Sequence, residues 1–345
     1  MNTTRFSESI LIVGPSWVGD MLMAQSLFKA LKQDNATCHI DVLASEWSEG
    51  LLKRMPEVRH VIVHNFAHGQ FAWKERQELG ISLRKHDYDR AIVLPNSWKS
   101  ALVPYWANIP QRTGFTGELR YGLLTDRRDL DKLLLPKTVD RFVALGLDKS
   151  DERIGSFLPA PRLSPKPVPP EMLARLGIEY QIDRPVLALC TGAEYGPSKR
   201  WPLEYFAEVA QQKISEGWQV WLFGSHKDTE INQRVNTLTG HQCVDLTGCT
   251  QLEEAVDLLA LTQAVVANDS GLMHVASALD RPLVAVYGSS NPYMTPPLRK
   301  NACTDIVYQG LKCSPCFKRT CKYKHMDCLR TITPEQVLHL LEKYN

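Results

Sequence analysis

The chain has 345 residues, 44% apolar and 23% charged, which is globular composition with room for two domains and excludes a disordered chain. Its formal charge of +2, from 40 basic against 38 acidic side chains, excludes a dedicated nucleic-acid binder. No apolar run reaches the roughly 18 residues of a membrane-spanning helix, Ile10–Val13 is too short for a signal peptide, and nine cysteines in such a chain are expected as reduced thiols or a metal site in the cytoplasm.

Ser9–Val13 opens a series of short β-rich runs that continues with His39–Leu43, His60–Val63 and Ala91–Leu94. After residue 170 come Pro185–Leu189, Gln219–Phe223, Ala264–Ala267 and Pro282–Tyr287. Helical patterns of roughly 10–15 residues separate these runs, which predicts βαβ units on parallel sheets. Between the two halves, residues 158–170 hold six prolines in thirteen positions. Proline lacks a backbone donor and biases its predecessor away from helix, so an extended connector is expected there. The reading is α/β: a doubly wound domain over 1–157, the connector over 158–170, a second doubly wound domain over 171–330, and a closing helix over 331–345. The two sheets are expected to face each other across a cleft, with ligands beyond the carboxyl ends of the strands.

The first strand runs into Gly14-Pro-Ser-Trp-Val-Gly19-Asp20. A phosphate loop needs Lys and Ser/Thr after the second glycine, and an acid stands there instead, so an NTPase is excluded. Asp20 is either an acid that complements a helix dipole or a carboxylate held at the cleft mouth as a general base. Asp87-Tyr-Asp89 and Asp129-Leu-Asp131 have no second ligand set nearby in sequence and are read as chance.

In the second half, Thr191, Gly192, Gly196, Lys199 and Arg200 follow a strand and precede a helix. The glycines allow backbone to approach a ligand, and the bases bring charge to an oxyanion. Asp228 stands where an acid accepts ribose hydroxyls in dinucleotide folds, or is merely an early-helix acid. Asn268-Asp269-Ser270-Gly271-Leu-Met-His274 follows a strand and opens a helix. Asp269 or Ser270 caps it, Gly271 leaves the first-turn amides open to a pyrophosphate, and His274 lies one turn on, on the same face as Ser270. Cys313, Cys316, Cys321 and Cys328 form either a small structural zinc knot or reduced thiols in a basic loop.

Taken together, Gly-Pro-Ser-Trp-Val-Gly-Asp (14–20), Val-Leu-Pro-Asn-Ser (93–97), Arg-Thr-Gly-Phe (112–115), Arg-Tyr-Gly-Leu-Leu (120–124), Lys-Arg-Trp-Pro (199–202), Leu-Phe-Gly-Ser (222–225) and Asn-Asp-Ser-Gly-Leu-Met-His-Val-Ala (268–276) resemble glycosyltransferase family 9. That family contains the ADP-heptose:lipopolysaccharide heptosyltransferases. The resemblance implies a GT-B fold of two Rossmann-like domains, with the donor held by the C-terminal one. It implies an inverting, metal-independent transfer of heptose from ADP-L-glycero-D-manno-heptose to the first inner-core heptose of heptosyl-Kdo2-lipid A, in lipopolysaccharide core biosynthesis. It also implies no required cofactor, no nucleic-acid partner, and peripheral contact with the cytoplasmic face of the inner membrane.

Carried onto this chain, the resemblance makes Asp20 the general base and Lys199 the cation offsetting the departing diphosphate. Thr191, Gly192, Asp269, the Ser270 and Gly271 amides and His274 are the donor contacts, with Asp228 on the ribose. Lys99, Arg112 and Arg120 are acceptor candidates or solvated surface charge. The cysteine segment 313–328 departs from enterobacterial members. Three alternatives are a type I or III specificity with a different acceptor, a nucleotide-sugar 2-epimerase, which needs more cleft acids than Asp20, and a non-enzymatic binding protein.

Overall fold

The computed structural model describes residues 7–66, 69–156, 158–299 and 304–344. Phe157 and Asn345, the expected ends of the N-terminal domain and of the closing helix, lie outside them. The chain divides into compact units Met1–Pro161 and Arg162–Asn345, a break inside the proline-rich stretch. Beyond that break, the Leu163 N–H donates to the Ala278 carbonyl (3.0 Å) and the Lys166 N–H to Asp257 (2.8 Å), fastening this end of the stretch to the second unit.

The first unit carries strands β1 (Ser9–Val13), β2 (His39–Ser45), β3 (Val58–His64), β4 (Arg90–Val93), β5 (Gln111–Phe115) and β6 (Asp126–Arg128). The second carries β7 (Val186–Cys190), β8 (Gln219–Phe223), β9 (Val244–Asp245), β10 (Ala264–Asn268), β11 (Leu283–Tyr287) and β12 (Thr304–Tyr308). The sheets run β3-β2-β1-β4-β5-β6 and β12-β11-β10-β7-β8-β9, with parallel pairing in both. Numbered within its own unit, each sheet has the order third, second, first, fourth, fifth, sixth. That is the doubly wound order, and the order in which strands are laid down reverses between β1 and β4 and between β7 and β10.

The inner strands β7, β10 and β11 are buried at every position, which is why they read as unbroken apolar runs. Leu187, Leu189, Phe206, Val220, Leu222, Val266 and Val284 share one core there, each fully buried large side chain contributing about 1.5–3 kcal/mol. The closing helix spans Pro334–Leu341, with Gln336 accepting from the Thr333 N–H (3.1 Å) in its first turn, and it buries Val337 and Leu341 in the same core.

The strands absent from the sequence reading, β5, β6, β9 and β12, all lie in the outer half of a sheet. Gln111-Arg-Thr-Gly-Phe115 and Asp126-Arg-Arg128 carry charges along a partly exposed face, so no apolar run marks them. No helix among the described residues is long and apolar enough to cross a membrane.

Candidate active site at the switch point of the second sheet

β7 and β10 are neighbours, and the segments leaving their carboxyl ends meet. Asn268, the last residue of β10, is fully buried and ties them together. Its Nδ2 donates to the Thr191 carbonyl (2.6 Å), and its Oδ1 accepts from the Trp201 N–H (2.9 Å). So held, the turn Pro197–Lys199 brings Lys199 Nζ to 2.5 Å from Asp269 Oδ2. The Ser290 hydroxyl donates to the same carboxylate oxygen. Asp269 is nearly inaccessible, so Lys199 neutralises a carboxylate that would otherwise be costly to bury.

Ser270 is the N-cap of the helix Gly271–Ala278, yet its hydroxyl makes no capping bond to that helix. The first-turn amides therefore point from the end of β10 with the positive end of the helix dipole behind them, beside the Lys199 ammonium. His274 is buried one turn along, and burial is the main cause that lowers its pKa to about 4, with Asp269 opposing and Lys199 assisting. At neutral pH it is an uncharged imidazole, able to offer a hydrogen bond but not a full charge.

The same shift fixes the sign of a pH effect. Below the ordinary value of 6.5, the unfolded chain takes up a proton that the native His274 refuses until about pH 4. Stability is thus unaffected above pH 6.5 and falls between pH 6.5 and 4, by up to about 3 kcal/mol from this group. In urea unfolding at pH 7 and pH 4.5, wild type is expected to lose about 2–3 kcal/mol more than His274→Asn. Equal losses in the two proteins would contradict this placement of the imidazole.

Other expected site residues have structural partners. A Cβ on Gly192 would lie 2.5 Å from Asp228 Oδ2, so the close approach that requires glycine is made by that carboxylate. Gly196, at φ +148°, is equally pinned, since a Cβ there would lie 2.6 Å from the Arg319 carbonyl oxygen. Asp228 accepts from the Ser225 N–H (2.9 Å) and hydroxyl (2.8 Å), and Arg200 approaches its other oxygen at 3.6 Å. Lys199 and Arg200, expected to serve one anion, therefore point to different carboxylates. The Thr191 hydroxyl donates to Asn232 Oδ1, away from the Lys199–Asp269 pair.

In the first unit, Asp20 lies in the first turn of the helix Val18–Asp34 that follows β1, at that sheet's own reversal point. The acceptor candidates are held by backbone carbonyls, Arg120 deep inside, Arg112 half-buried and Lys99 at an exposed contact. Arg120 is fully buried, and its guanidinium donates to the Pro95 carbonyl (2.7 Å), Ser100 Oγ (3.3 Å) and the Phe115 carbonyl. Burial lowers its pKa to about 10. This corrects the expectation of a surface contact: Arg120 staples two loops from inside the domain. Arg112 donates to the Leu123 (2.6 Å) and Ile109 (2.5 Å) carbonyls and Lys99 to Gln70 (3.0 Å). Of the Asp-x-Asp residues, Asp131 accepts the local Leu133 N–H (2.8 Å), the ordinary work of a turn acid, and Asp89 accepts the N–H of Ser9 (2.8 Å) at the distant start of β1.

Cys313, Cys316, Cys321 and Cys328 are free thiols. Burial first, then charge on the other three, raises the Cys328 pKa to about 11, while backbone N–H groups led by that of Met326 lower Cys321. Among the described residues, no group of three or more His, Cys, Asp or Glu is arranged to hold a metal ion. The segment instead borders the site. Ser198 donates to the Arg319 carbonyl through its N–H (3.2 Å) and to the Lys318 carbonyl through its hydroxyl, and Tyr195 Oη donates to the Phe317 carbonyl (2.6 Å).

Residues the sequence reading passed over are Asn268, Tyr195, Ser290, Asn291 and Phe317. For Ser290 and Asn291 a signal existed, because Gly288-Ser-Ser-Asn291 follows the apolar β11 as the other two loops follow β7 and β10. Phe317 lies far along the chain in a cysteine-rich segment, and nothing local marks it.

Two doubly wound units, one with a cation and an open helix N-terminus at its reversal point, define a glycosyltransferase architecture of the GT-B class. The profile of Glycosyltransferase family 9 (heptosyltransferase) matches residues 76–327. The chain is 52% identical to lipopolysaccharide heptosyltransferase 2 of Salmonella typhimurium (strain LT2), over 96% of this chain and 97% of that one. It is 50% identical to lipopolysaccharide heptosyltransferase 2 of Escherichia coli (strain K12), with the same coverage. The solved structure of E. coli ADP-heptose LPS heptosyltransferase II superposes with a TM-score of 0.84 at 44% identity, covering 97% of this chain and 98% of that one. The protein belongs to glycosyltransferase family 9, and it is an enzyme of the heptosyltransferase kind.

Proposed function

We propose that this enzyme transfers L-glycero-D-manno-heptose from ADP-heptose to the first heptose of the lipopolysaccharide inner core, inverting the anomeric centre and using no metal ion. The observation that carries the donor half is the Lys199–Asp269 pair beside the helix starting at Gly271. The names of the full-length relatives support the heptose and the lipopolysaccharide acceptor.

Asp20 takes the proton from the acceptor hydroxyl as that oxygen bonds to the anomeric carbon. The bond from that carbon to the β-phosphate oxygen breaks, and ADP leaves with the electron pair. The Lys199 ammonium, the Ser270 and Gly271 amides and the neutral His274 stabilise the charge gathering on the diphosphate. Asp228 has acceptor capacity beyond its Ser225 bonds and holds a ribose hydroxyl, next to Thr191 and Gly192.

Exposed Trp17, Trp47, Phe71 and Trp73 stand in the segments that follow β1, β2 and β3. The indole N–H gives the three tryptophans a polar edge that suits the headgroup layer, which supports peripheral contact with the membrane that presents the acceptor. The function is tested by supplying ADP-heptose with heptosyl-Kdo2-lipid A or with Kdo2-lipid A, and weighing the product by mass spectrometry. One heptose is expected on the former alone. Extension of Kdo2-lipid A would assign the type I specificity instead.

A further inference from the structure

We propose that Phe317 is the platform on which the donor's sugar ring stacks, so that it sets the preference for a nucleotide sugar over the bare nucleotide. The inference rests on the reading of the Lys199–Asp269 site as the place where the donor's diphosphate lies.

A cavity of about 210 Å³ opens beside that pair, lined by Lys199, Tyr195, Ser290, Asn291, Met294 and Phe317 among others. Its lining divides into polar groups, among them an ammonium, hydroxyls and an amide, and the apolar side chains of Met294 and Phe317. Such a division suits a molecule with a charged end and a ring that has both hydroxyl edges and a C–H face. Phe317 is the phenyl ring in that lining, and it is 49% exposed. A lone exposed aromatic is ordinary, but this one is held in an unusual way.

Its backbone sits at φ +52°, the left-handed region, where a bulky side chain is rare and has to be held by its surroundings. The holding groups are visible. The Phe317 N–H donates to the Ser289 carbonyl (2.8 Å), and its carbonyl accepts from Tyr195 Oη (2.6 Å). Both partners lie beside the cavity: Tyr195 lines it, and so does Ser289. The site therefore fixes the backbone that aims the ring.

The Tyr195 ring is occupied by cations, with Lys199 Nζ 5.2 Å and Arg319 Cζ 5.4 Å from its centre. Among the described residues, no ring or cation stacks on Phe317, so its π-face is the one left for a ligand. The electron-rich face of an aromatic ring attracts the polarised C–H bonds of a pyranose, and packing on it removes apolar area of both from water. Ser290 and Asn291 then meet the hydroxyl edge. The platform is carried by the segment between Cys316 and Cys321, which gives that segment a part in the reaction without requiring a metal.

Isothermal titration of ADP-heptose and of ADP into wild type, Phe317→Ala and Phe317→Tyr tests this. Phe317→Ala is expected to weaken ADP-heptose binding about tenfold while ADP binding stays within about twofold, and Phe317→Tyr is expected to restore the sugar nucleotide. Unchanged affinity for ADP-heptose in Phe317→Ala overturns the proposal. Equal weakening of both ligands also overturns it, because the ring would then be only a structural part of the loop. A wild type that binds neither ligand contradicts the parent reading of the site, which separates the two failures.

Discussion

Asp20→Asn is expected to transfer heptose about 10²–10⁴-fold more slowly than wild type while binding ADP-heptose with unchanged affinity. Asp20 stands in the first turn of the helix that follows β1, at the reversal point of the first sheet. Asparagine keeps the size and a hydrogen-bonding oxygen, so the first turn of the helix is little disturbed. What it loses is the ability to accept the acceptor's proton as the new glycosidic bond forms. The effect should therefore fall on kcat, with the donor's Kd untouched, because the diphosphate contacts belong to the second unit. Measuring both quantities by steady-state kinetics and titration checks the split. A variant within tenfold of the wild-type kcat would show that another group takes the proton.

Lys199→Met carries the second large effect, and its signature differs. The substitution removes the charge that offsets the departing diphosphate, and it also strips the buried Asp269 of its cation. Loss of one such stabilising group slows the chemical step by about 10²–10³-fold. The uncompensated carboxylate then faces an incoming anion, so ADP-heptose binding weakens as well, where Asp20→Asn leaves it alone. Removing one partner of a buried pair typically costs about 3–5 kcal/mol of stability. The Ser290 hydroxyl still donates to Asp269, which places this variant toward the lower end. Thermal unfolding, donor titration and turnover are expected to fall together. Near-normal turnover in Lys199→Met would place the phosphate-neutralising group elsewhere.

The two halves of the fold were legible in the sequence because inner strands of a parallel sheet are apolar on both faces. Leu187-Ala-Leu-Cys190 and Ala264-Val-Val-Ala267 could be read with little error, whereas Asp126-Arg-Arg128 could not, since an edge strand needs no apolar run. The loops at the carboxyl edge of the second sheet were legible for a related reason. Polar and glycine residues directly after a buried strand mark the carboxyl edge where ligands sit, and Lys199, Asp269, Ser270 and His274 all obey that rule.

What the sequence concealed depends on contacts between distant segments. Nothing near Arg120 shows that its guanidinium is spent on carbonyls at Pro95 and Phe115. Gly192 and Gly196 announced a close approach but not that Asp228 and the Arg319 carbonyl make it. The cysteine segment read as a metal site or a basic loop, and its ties to Tyr195 and Ser198 emerge only when residues more than a hundred positions apart are brought together.

The measurement that bears most directly on this account is the stoichiometry of ADP released per heptosylated acceptor, with ADP-heptose, heptosyl-Kdo2-lipid A and excess EDTA. One ADP is expected for each new glycosidic bond, at a rate that EDTA does not change and that requires the acceptor. Acceptor-dependent release that stops in EDTA would contradict the metal-free arrangement of Lys199, His274 and the helix N-terminus, and binding of ADP-heptose without any release would contradict the transferase itself.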